Sequence, residues 1–163
     1  MAAPTVSTRT IPVGFKMADG FKTLISFLSN TGIQFWEIAV KPPGFDGGDP
    51  IPTTTMHNIL YRTFDTKRLK TLTECTVTAF YDPDCYPGIL ALINAPTSIT
   101  VLFPDGSKLV FYGYLKKFEV NEHKEGESPE ATLSIQPTNW DSTNFVEAAP
   151  VFTAARTGTR SAD

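Results

Sequence analysis

The chain has 163 residues, of which 41% are hydrophobic, 12% aromatic and 19% charged, and its formal net charge is −3. A chain of this length can bury a core as one domain without help from disulfides or metal ions. The aromatic content and low net charge exclude a wholly disordered chain. The 13 prolines and 11 glycines exclude a coiled coil. A dedicated nucleic-acid binder would normally be basic, which argues against that class.

The sequence predicts neither membrane insertion nor a disulfide framework. Its longest apolar run, Ile89 to Ile93, is far shorter than the roughly 18 residues of a membrane span. The start, MAAPTVSTRTIPVGF, lacks the charged start and apolar stretch of a signal peptide. Cys75 and Cys85 form no CxxC pattern, so we expect two reduced thiols in a cytosolic product.

In the first part of the chain, alternating apolar residues predict two strands. Residues 1–10 are small and polar and are expected to form an N-terminal arm. Strands are predicted over Thr23 to Leu28 and Ile33 to Lys41, joined by a turn at Ser29 to Gly32. In the second strand, Trp36, Ile38 and Val40 are expected to share one face.

A proline- and glycine-rich segment, PPGFDGGDPIP, follows at Pro42 to Pro52. Its composition predicts that neither a helix nor a strand ladder runs through it. A long loop over residues 42–54, before a strand resumes from Thr55 to Phe64, is typical of a functional segment.

The next part predicts a strand, a short helix and another strand. Cys75, Val77 and Ala79 form the apolar face of a strand from Thr71 to Tyr81. Asp84 is expected to cap a helix over Tyr86 to Asn94. A further strand is predicted over Thr97 to Phe103.

The last part predicts a hairpin with an irregular long strand. Pro104 to Ser107 forms a turn and leads into KLVFYGYLKKFEV. The apolar alternation of this strand changes phase at Lys116-Lys117, which predicts a β-bulge. After an acidic link, Ala131, Leu133 and Ile135 mark a strand that ends at Pro137. Residues 148–163 are expected to form a C-terminal arm.

These elements predict a mainly β fold: a β-sandwich or barrel of about seven or eight strands with one short helix. A single domain is expected over residues 11–147, between the two arms. No enzyme motif of the GxSxG, GxxxxGK[ST], GxGxxG or HExxH type occurs. The sequence therefore predicts a non-enzymatic protein that assembles with other subunits, with no catalytic residues and no cofactor.

Metal sites are also not expected. His57 and His123 lie on different elements, and no close ligand pair joins them to Cys75 or Cys85. Neither the Asp46 and Asp49 pair nor the Asp82 and Asp84 pair has the spacing of a calcium loop.

The charged residues fall into two segments of opposite sign. The acidic segment contains a single lysine, Lys124, and the basic segment surrounds Asp65. Both segments are expected either to be solvated or to meet between identical subunits, where complementary charges would set the register. The acidic residues are Glu119, Glu122, Glu125, Glu127 and Glu130, and the basic ones are Arg62, Lys67, Arg68 and Lys70.

Two further sets of residues leave alternatives open. Trp36 and Trp140 are either core or interface residues, or a platform for sugar rings in a carbohydrate-binding β-sandwich. Two strands have polar faces that are poor in lysine and arginine, and these would bind phosphate poorly. They carry Glu74, Thr76 and Thr78 on one strand and Thr132, Ser134 and Gln136 on the other.

From Thr97 to Thr138, the order of a strand, a PDGS turn, KLVFYGYLKKFEV, a charged link and ATLSIQPT resembles the tail tube (major tail) proteins of long-tailed, siphovirus-type bacteriophages. Upstream, LTECTVTAFYDPDCYPGILALIN is similar to the strand and short helix of that family. The resemblance covers roughly residues 11–140 and rests on element order.

The resemblance implies self-assembly into six-fold rings that stack head to tail into a tube for genome delivery. The implied partners are other copies of the chain, a tape-measure protein, a tail terminator and tail-tip proteins, with DNA only in transit. The implied location is the virion tail, assembled in the host cytoplasm. Related alternatives are a secretion-system tube subunit, a tail terminator or a capsid decoration protein.

The resemblance also gives expectations for particular residues. The long loop would reach the next ring through Phe45, Asp46, Asp49 and Ile51, with Phe45 and Ile51 as its apolar anchors. The acidic and basic segments would form an interface between subunits. The face carrying Glu74, Thr76 and Thr78 is the candidate lining of the lumen.

Overall fold

The computed structural model describes residues 23–28, 35–104 and 106–154. The predicted N-terminal arm, the turn at Ser29 to Gly32 and residues 155–163 of the predicted C-terminal arm lie outside the described residues.

The described residues form thirteen strands and one α-helix. In chain order these are β1 (Leu24–Phe27), β2 (Glu37–Lys41), β3 (Phe45–Asp46), β4 (Ile51–Pro52), β5 (Phe64–Asp65), β6 (Thr71–Leu72), β7 (Cys75–Phe80), α1 (Tyr86–Leu92), β8 (Thr97–Leu102), β9 (Lys108–Val120), β10 (Glu130–Pro137), β11 (Trp140–Asp141), β12 (Val146–Glu147) and β13 (Val151–Thr153).

Seven of these strands form one antiparallel, curled sheet with the order β1-β8-β9-β10-β7-β2, and β13 pairs with β9 beside it. The two edge strands of this sheet, β1 and β2, approach each other. The backbone N–H of Ile25 in β1 donates a hydrogen bond to Oε1 of Glu37 in β2 at 3.0 Å. The mainly β fold class with a single short helix is therefore confirmed. Strand β13 lies within the predicted C-terminal arm and is exposed.

The core lies on the concave side of this sheet, where alternate residues of the strands face inward. Phe111, Leu133 and Val77 come from the three central strands and are at most 1% exposed. The helix closes this side with Ile89 and Leu92, which are 3% and 2% exposed. Burying each such side chain stabilises the fold by about 1.5–3 kcal/mol.

The long strand β9 contains the predicted β-bulge. Ile135 of β10 pairs with Leu115, whereas the preceding Ser134 pairs with Lys117, so Lys116 is the extra residue. Alternate residues of β9 are buried up to Leu115. Because of the extra residue, the next residue that packs against the core is Phe118 rather than Lys117. The prediction at Lys116-Lys117 is confirmed.

Strand β2 differs from the prediction. Trp36 and Ile38 are 67% and 45% exposed, while Phe35 and Val40 pack against the core. The register between β2 and β7 shifts between Glu37 and Ala39. This irregularity reverses the alternation, so the prediction that Trp36, Ile38 and Val40 share one face was wrong.

The loop after β2 also differs from the prediction. Ladders do run through it, because β3 pairs with β6 and β4 pairs with β5. Pro52 is tolerated because a two-stranded ladder leaves one edge of each strand unpaired. The predicted strand from Thr55 to Phe64 is absent, and only Phe64 lies in a strand. The whole segment 42–73 is a long hairpin. We call this hairpin the arm, and it is distinct from the two predicted terminal arms.

The start of the helix is capped differently from the prediction. The side chain of Asp82, not that of Asp84, accepts a hydrogen bond, and its donor is the N–H of Asp84 at 3.0 Å. It thereby caps a 3-10 turn over Pro83–Cys85 that leads into α1. The helix ends at Leu92 rather than Asn94.

A tight hairpin of β11 and β12 is held by Asp141, which is only 6% exposed. Its carboxylate accepts hydrogen bonds from Asn144 Nδ2 at 2.7 Å, from Thr143 N at 2.9 Å and from Tyr112 Oη at 3.3 Å. These bonds, led by that from Asn144, lower the pKa of Asp141. Phe145 ends this turn with a φ of 55°.

The substitution Asp141→Asn is expected to remove a pH-dependent part of the stability. The pKa is lower in the folded chain, so this stability is present above the ordinary aspartate pKa of about 3.9 and is lost as pH falls through the folded value. Thermal unfolding from pH 7 to pH 2 should therefore show a smaller acid loss for the variant than for the parent. Asp84→Asn, at an exposed position, is the control. Equal acid slopes for the two variants would contradict the role of Asp141.

Candidate assembly surfaces

The two predicted polar faces form one surface on the convex side of the sheet. Thr78 of β7 pairs with Thr132 of β10, and Thr76 pairs with Ser134. Residues that pair directly in an antiparallel ladder point to the same face. This polar face continues onto β9 through Tyr114, which pairs with Gln136.

The polar face carries few charges, and four of them form ion pairs, whereas Lys41 opposite Thr76 and Glu130 opposite Phe80 have no ion pair with a described residue. Glu74, which precedes β7, pairs with Lys116 at 3.5 Å, and Lys117 forms an ion pair with Glu119. Thr76 and Thr78 are half-buried within the face. A surface of hydroxyl and amide groups with balanced charge would hold a polyanion only weakly, because phosphate binding depends on an excess of cations.

The arm projects from one end of the sheet. Every residue from Phe45 to Thr71 is exposed except Asn58, which is half-buried. At its base, Leu72 is 3% exposed and belongs to the core, and Gly44 and Thr73 exchange hydrogen bonds. The arm is therefore anchored at its base and otherwise makes little contact with the sheet.

Side-chain hydrogen bonds shape the end of the arm. Thr63 N donates to Thr54 Oγ1 at 3.0 Å, and Thr53 N donates to the Thr63 carbonyl at 2.9 Å. Asn58 Oδ1 accepts from Thr55 N at 2.7 Å, and Asn58 Nδ2 donates to the Tyr61 carbonyl at 3.1 Å. These bonds compete with a regular ladder and favour a turn.

The end of this turn is apolar, which the sequence reasoning missed. Met56, Ile59, Leu60 and Tyr61 are 81–101% exposed. The motif MHNILY is the signal that could have identified it, since it is an apolar cluster without a strand or helix period. We call these four residues the arm tip. Exposed apolar clusters of this kind mark interaction sites.

The four predicted loop residues lie nearer the base of the arm. Phe45 and Asp46 form β3, and Ile51 belongs to β4. Phe45 is 63% exposed and Ile51 43% exposed. Asp46 Oδ1 accepts from Gly48 N at 2.8 Å, and Asp49 is exposed. The structure thus places all four on the arm but none at its tip.

The basic and acidic segments lie at opposite ends of the sheet. Arg62, Lys67, Arg68 and Lys70 are all in the arm, which leaves the sheet where Thr76 pairs with Lys41. The acidic turn, residues 119–130, lies where Phe80 pairs with Glu130, at the other end of β7. The two segments therefore do not meet within one subunit.

Both segments keep an excess of charge. Residues 53–70 hold four basic side chains and one acidic side chain, and residues 119–130 hold five glutamates and one lysine. Two of these five glutamates form ion pairs with described residues, Glu119 with Lys117 and Glu122 with Lys124. Glu125 and Glu127 form no ion pair with any described residue.

The two tryptophans do not form a common platform. Trp36 lies beside Phe80, whose N–H donates to the Trp36 carbonyl at 3.0 Å. Trp140 is 46% exposed and follows the opposite end of β10. A sugar-binding surface built from both tryptophans is therefore not supported by their positions.

The candidate metal ligands are separate in the described residues, which contain no cluster of three or more His, Cys, Asp or Glu side chains suited to a metal ion. Burial raises the pKa of the Cys75 thiol to about 12, so this sulfur stays protonated. The ring of His123 packs against the ring of Tyr81, and the two ring centroids are 5.7 Å apart. In the part of the chain that is described, no helix is long and apolar enough to cross a membrane.

Comparison with known proteins gives no match to a family model and none to a curated protein. Solved structures do match. A chain in the virion of a native gene transfer agent particle aligns with a TM-score of 0.61 and 12% identity over 85% of this chain and 100% of the other. A chain in the tail of an empty gene transfer agent particle, refined with C6 symmetry, gives 0.60 and 12% over the same shares.

A third match is a chain of the six-fold symmetrised baseplate of an anti-feeding prophage. It aligns with a TM-score of 0.52 and 6% identity, over 82% of this chain and 92% of the other. At such identities the likeness concerns the fold. The chain therefore has the tail-tube-like β fold found in the tail and baseplate particles to which it is similar.

Proposed function

We propose that this chain is a structural tail protein that self-assembles into stacked hexameric rings and forms the tail tube of a siphovirus-type particle. The observation that carries this proposal is the match to a chain in a C6-symmetric tail, which covers all of that chain. The exposed arm and the separated charges support it, since they are surfaces suited to contacts between copies.

In this proposal the chain has a structural role in the virion tail and does not act as an enzyme. The tube is the conduit for DNA, and the polar face with Thr76 and Thr78 lines its lumen. Its balanced charge supports this assignment, because DNA would pass without being held. A tape-measure protein, a tail terminator and tail-tip proteins are the proposed partners, and assembly takes place in the host cytoplasm.

The arm is proposed to reach the neighbouring ring, with Phe45, Asp46, Asp49 and Ile51 along its length. The basic arm and the acidic turn would then meet between subunits. Their positions at opposite ends of β7 support a head-to-tail contact. Such a contact generates an open filament.

Negative-stain electron microscopy with light scattering on the purified chain tests the proposal. Hollow tubes with six-fold end views are the expected result. A chain that remains an 18 kDa monomer at high concentration, with or without a tail-tip initiator, would contradict it.

A second candidate is a ring-forming connector of the same fold, and the match to a six-fold baseplate particle favours it specifically. The same images distinguish the two, because a connector forms single rings that do not lengthen as protein concentration rises.

Charge reversal in the arm should weaken assembly. The variant Lys67→Glu/Arg68→Glu/Lys70→Glu is expected to form fewer tubes than the parent at low salt, and the difference should shrink as salt screens the contact. All three side chains are exposed, so thermal unfolding should change little.

The control, Lys41→Glu/Lys108→Glu, reverses two exposed lysines outside the arm that form no ion pair with a described residue, and it is compared with Lys67→Glu/Lys70→Glu. It changes the net charge equally. Pelleting and light scattering at several salt concentrations compare the two. Equal loss in both variants would assign the effect to net charge and contradict a specific contact through the arm.

A further inference from the structure

We propose that the arm tip of one copy docks on an aromatic pair, Trp36 and Phe80, at the opposite end of a second copy. This inference rests on the proposed function and deepens it by naming the receiving surface. The contact joins an apolar centre to an apolar centre and a basic segment to an acidic one.

The aromatic pair is built by the junction of β2 and β7. Phe80 N donates to the Trp36 carbonyl, and the ladder continues from Glu37 opposite Ala79. Trp36 and Phe80 therefore lie opposite each other and point to the convex side of the sheet. Phe80 follows Thr76 and Thr78 on the same side of β7, so the pair lies at the end of the polar face, where one ring would meet the next. They are 67% and 47% exposed, and aromatic side chains are enriched in the buried centres of protein interfaces.

The surroundings of this pair are acidic. Glu130 is the register partner of Phe80 on the next strand, and the acidic turn extends from it. Asn121 N donates to the Glu130 carbonyl at 2.8 Å, which holds the two sides of that turn together at the edge of the pair. An apolar centre with a charged rim is the usual arrangement of an interface.

The arm tip has the complementary arrangement. Leu60 and Tyr61 are each 81% exposed and are followed directly by Arg62. The remaining basic residues lie on the returning side of the arm, and only Asp65 offsets them between Thr53 and Lys70. Complementary charge would fix the orientation of the contact while the apolar residues provide its affinity.

The positions of the two surfaces require a second copy. The arm leaves the sheet where Lys41 pairs with Thr76, whereas Phe80 is at the other end of that strand. Docking within one chain would require the arm to fold back along β7, but its residues are exposed along nearly their whole length.

The arm is also long enough. Gly44 and Leu60 are 16 residue steps apart, so this part of the arm can extend at most about 50 Å at ~3.3 Å per step. The 13-residue strand β9, the longest in the described sheet, is about 40 Å long on the same basis. An arm can therefore reach across the junction to the nearer end of an adjoining subunit.

Cross-linking between two single-cysteine variants tests the docking, in a Cys85→Ser background with Cys75 left buried. His57→Cys lies in the turn of the arm tip, and Ala39→Cys is at an exposed position opposite Thr78, two residues from Phe80 along β7. When the two variants are mixed, assembled and treated with a short bismaleimide, they should give a cross-linked dimer. That dimer should contain one copy of each variant. Phe145→Cys is the control acceptor, because Phe145 is 74% exposed but lies on the hairpin of β11 and β12.

The substitution Trp36→Ala/Phe80→Ala provides the second measurement. It should leave thermal unfolding and ring formation intact and reduce tube mass at least tenfold, whereas Phe145→Ala/Phe152→Ala, at similarly exposed positions, should leave tubes unchanged.

Three results would overturn the docking. In the first, normal tubes form from Trp36→Ala/Phe80→Ala. In the second, tubes form but His57→Cys links to Phe145→Cys and not to Ala39→Cys. In the third, the double variant His57→Cys/Ala39→Cys links within a monomer at high dilution. The first two outcomes leave the proposed function standing, whereas a parent chain that forms no assembly overturns both proposals.

Discussion

Replacing residues 47–70 with a two-residue Asn-Gly turn is expected to abolish tubes while leaving a folded subunit. Asp46 pairs with Thr71 across the base of the arm, so a two-residue turn can close the ladder at this point. The variant keeps Leu72, which belongs to the core. Because the deleted residues are exposed apart from Asn58, the midpoint of thermal unfolding should change by less than about 4 °C, corresponding to about 1 kcal/mol.

A variant with an arm of normal length separates reach from chemistry. Met56→Ser/Ile59→Ser/Leu60→Ser keeps the hydrogen bonds of Asn58 and the threonines but removes most of the exposed apolar surface of the tip. We expect this variant also to stop at rings or short stacks, as seen by electron microscopy. Tubes of normal length from the variant without the arm would show that the arm does not join successive rings.

The sheet was predictable because its signals are local. In β7 and β10, buried residues alternate with half-buried ones over several successive positions, and each strand reports its own two-residue period. The bulge in β9 was predictable for the same reason, since the two phases meet at adjacent lysines, Lys116 and Lys117. No knowledge of the partner strand was needed.

The arm was not predictable because its ladders depend on pairing across the turn. Thr53, Thr54 and Thr55 have high β propensity, but their hydroxyl and backbone groups are used in a turn with Asn58 and Thr63. Propensity alone therefore predicted a strand where the structure has a turn.

The aromatic pair was missed for a related reason. The irregularity between Glu37 and Ala39 is set by the register of β2 against β7. It reverses which residues face the core, so Trp36 and Ile38 were assigned to the same face as Val40. Within a candidate assembly surface, a single inserted residue thus decides whether a tryptophan is buried or available to a partner.

The substitution Gly113→Ala is expected to destabilise the subunit, although alanine is normally better than glycine inside a strand. Gly113 pairs with Thr97 on one side and Pro137 on the other. A Cβ atom placed there would lie 2.7 Å from the carbonyl oxygen of Gln136 and 3.3 Å from the Cα of Pro137. Both atoms belong to the backbone, so the ladder itself would have to move.

Overpacking of this kind costs about 2 kcal/mol, which corresponds to a fall of about 4–8 °C in the midpoint of thermal unfolding for a chain of this size. Gly47→Ala is the matched control, because a Cβ atom at Gly47 meets nothing within 4 Å. It should leave the midpoint unchanged or raise it slightly. If both alanine variants unfolded at the parent temperature, β9 and β10 would have to be more widely separated at Gly113 than the structure places them. The close approach of the two central strands, on which the register of the whole polar face depends, would then be wrong.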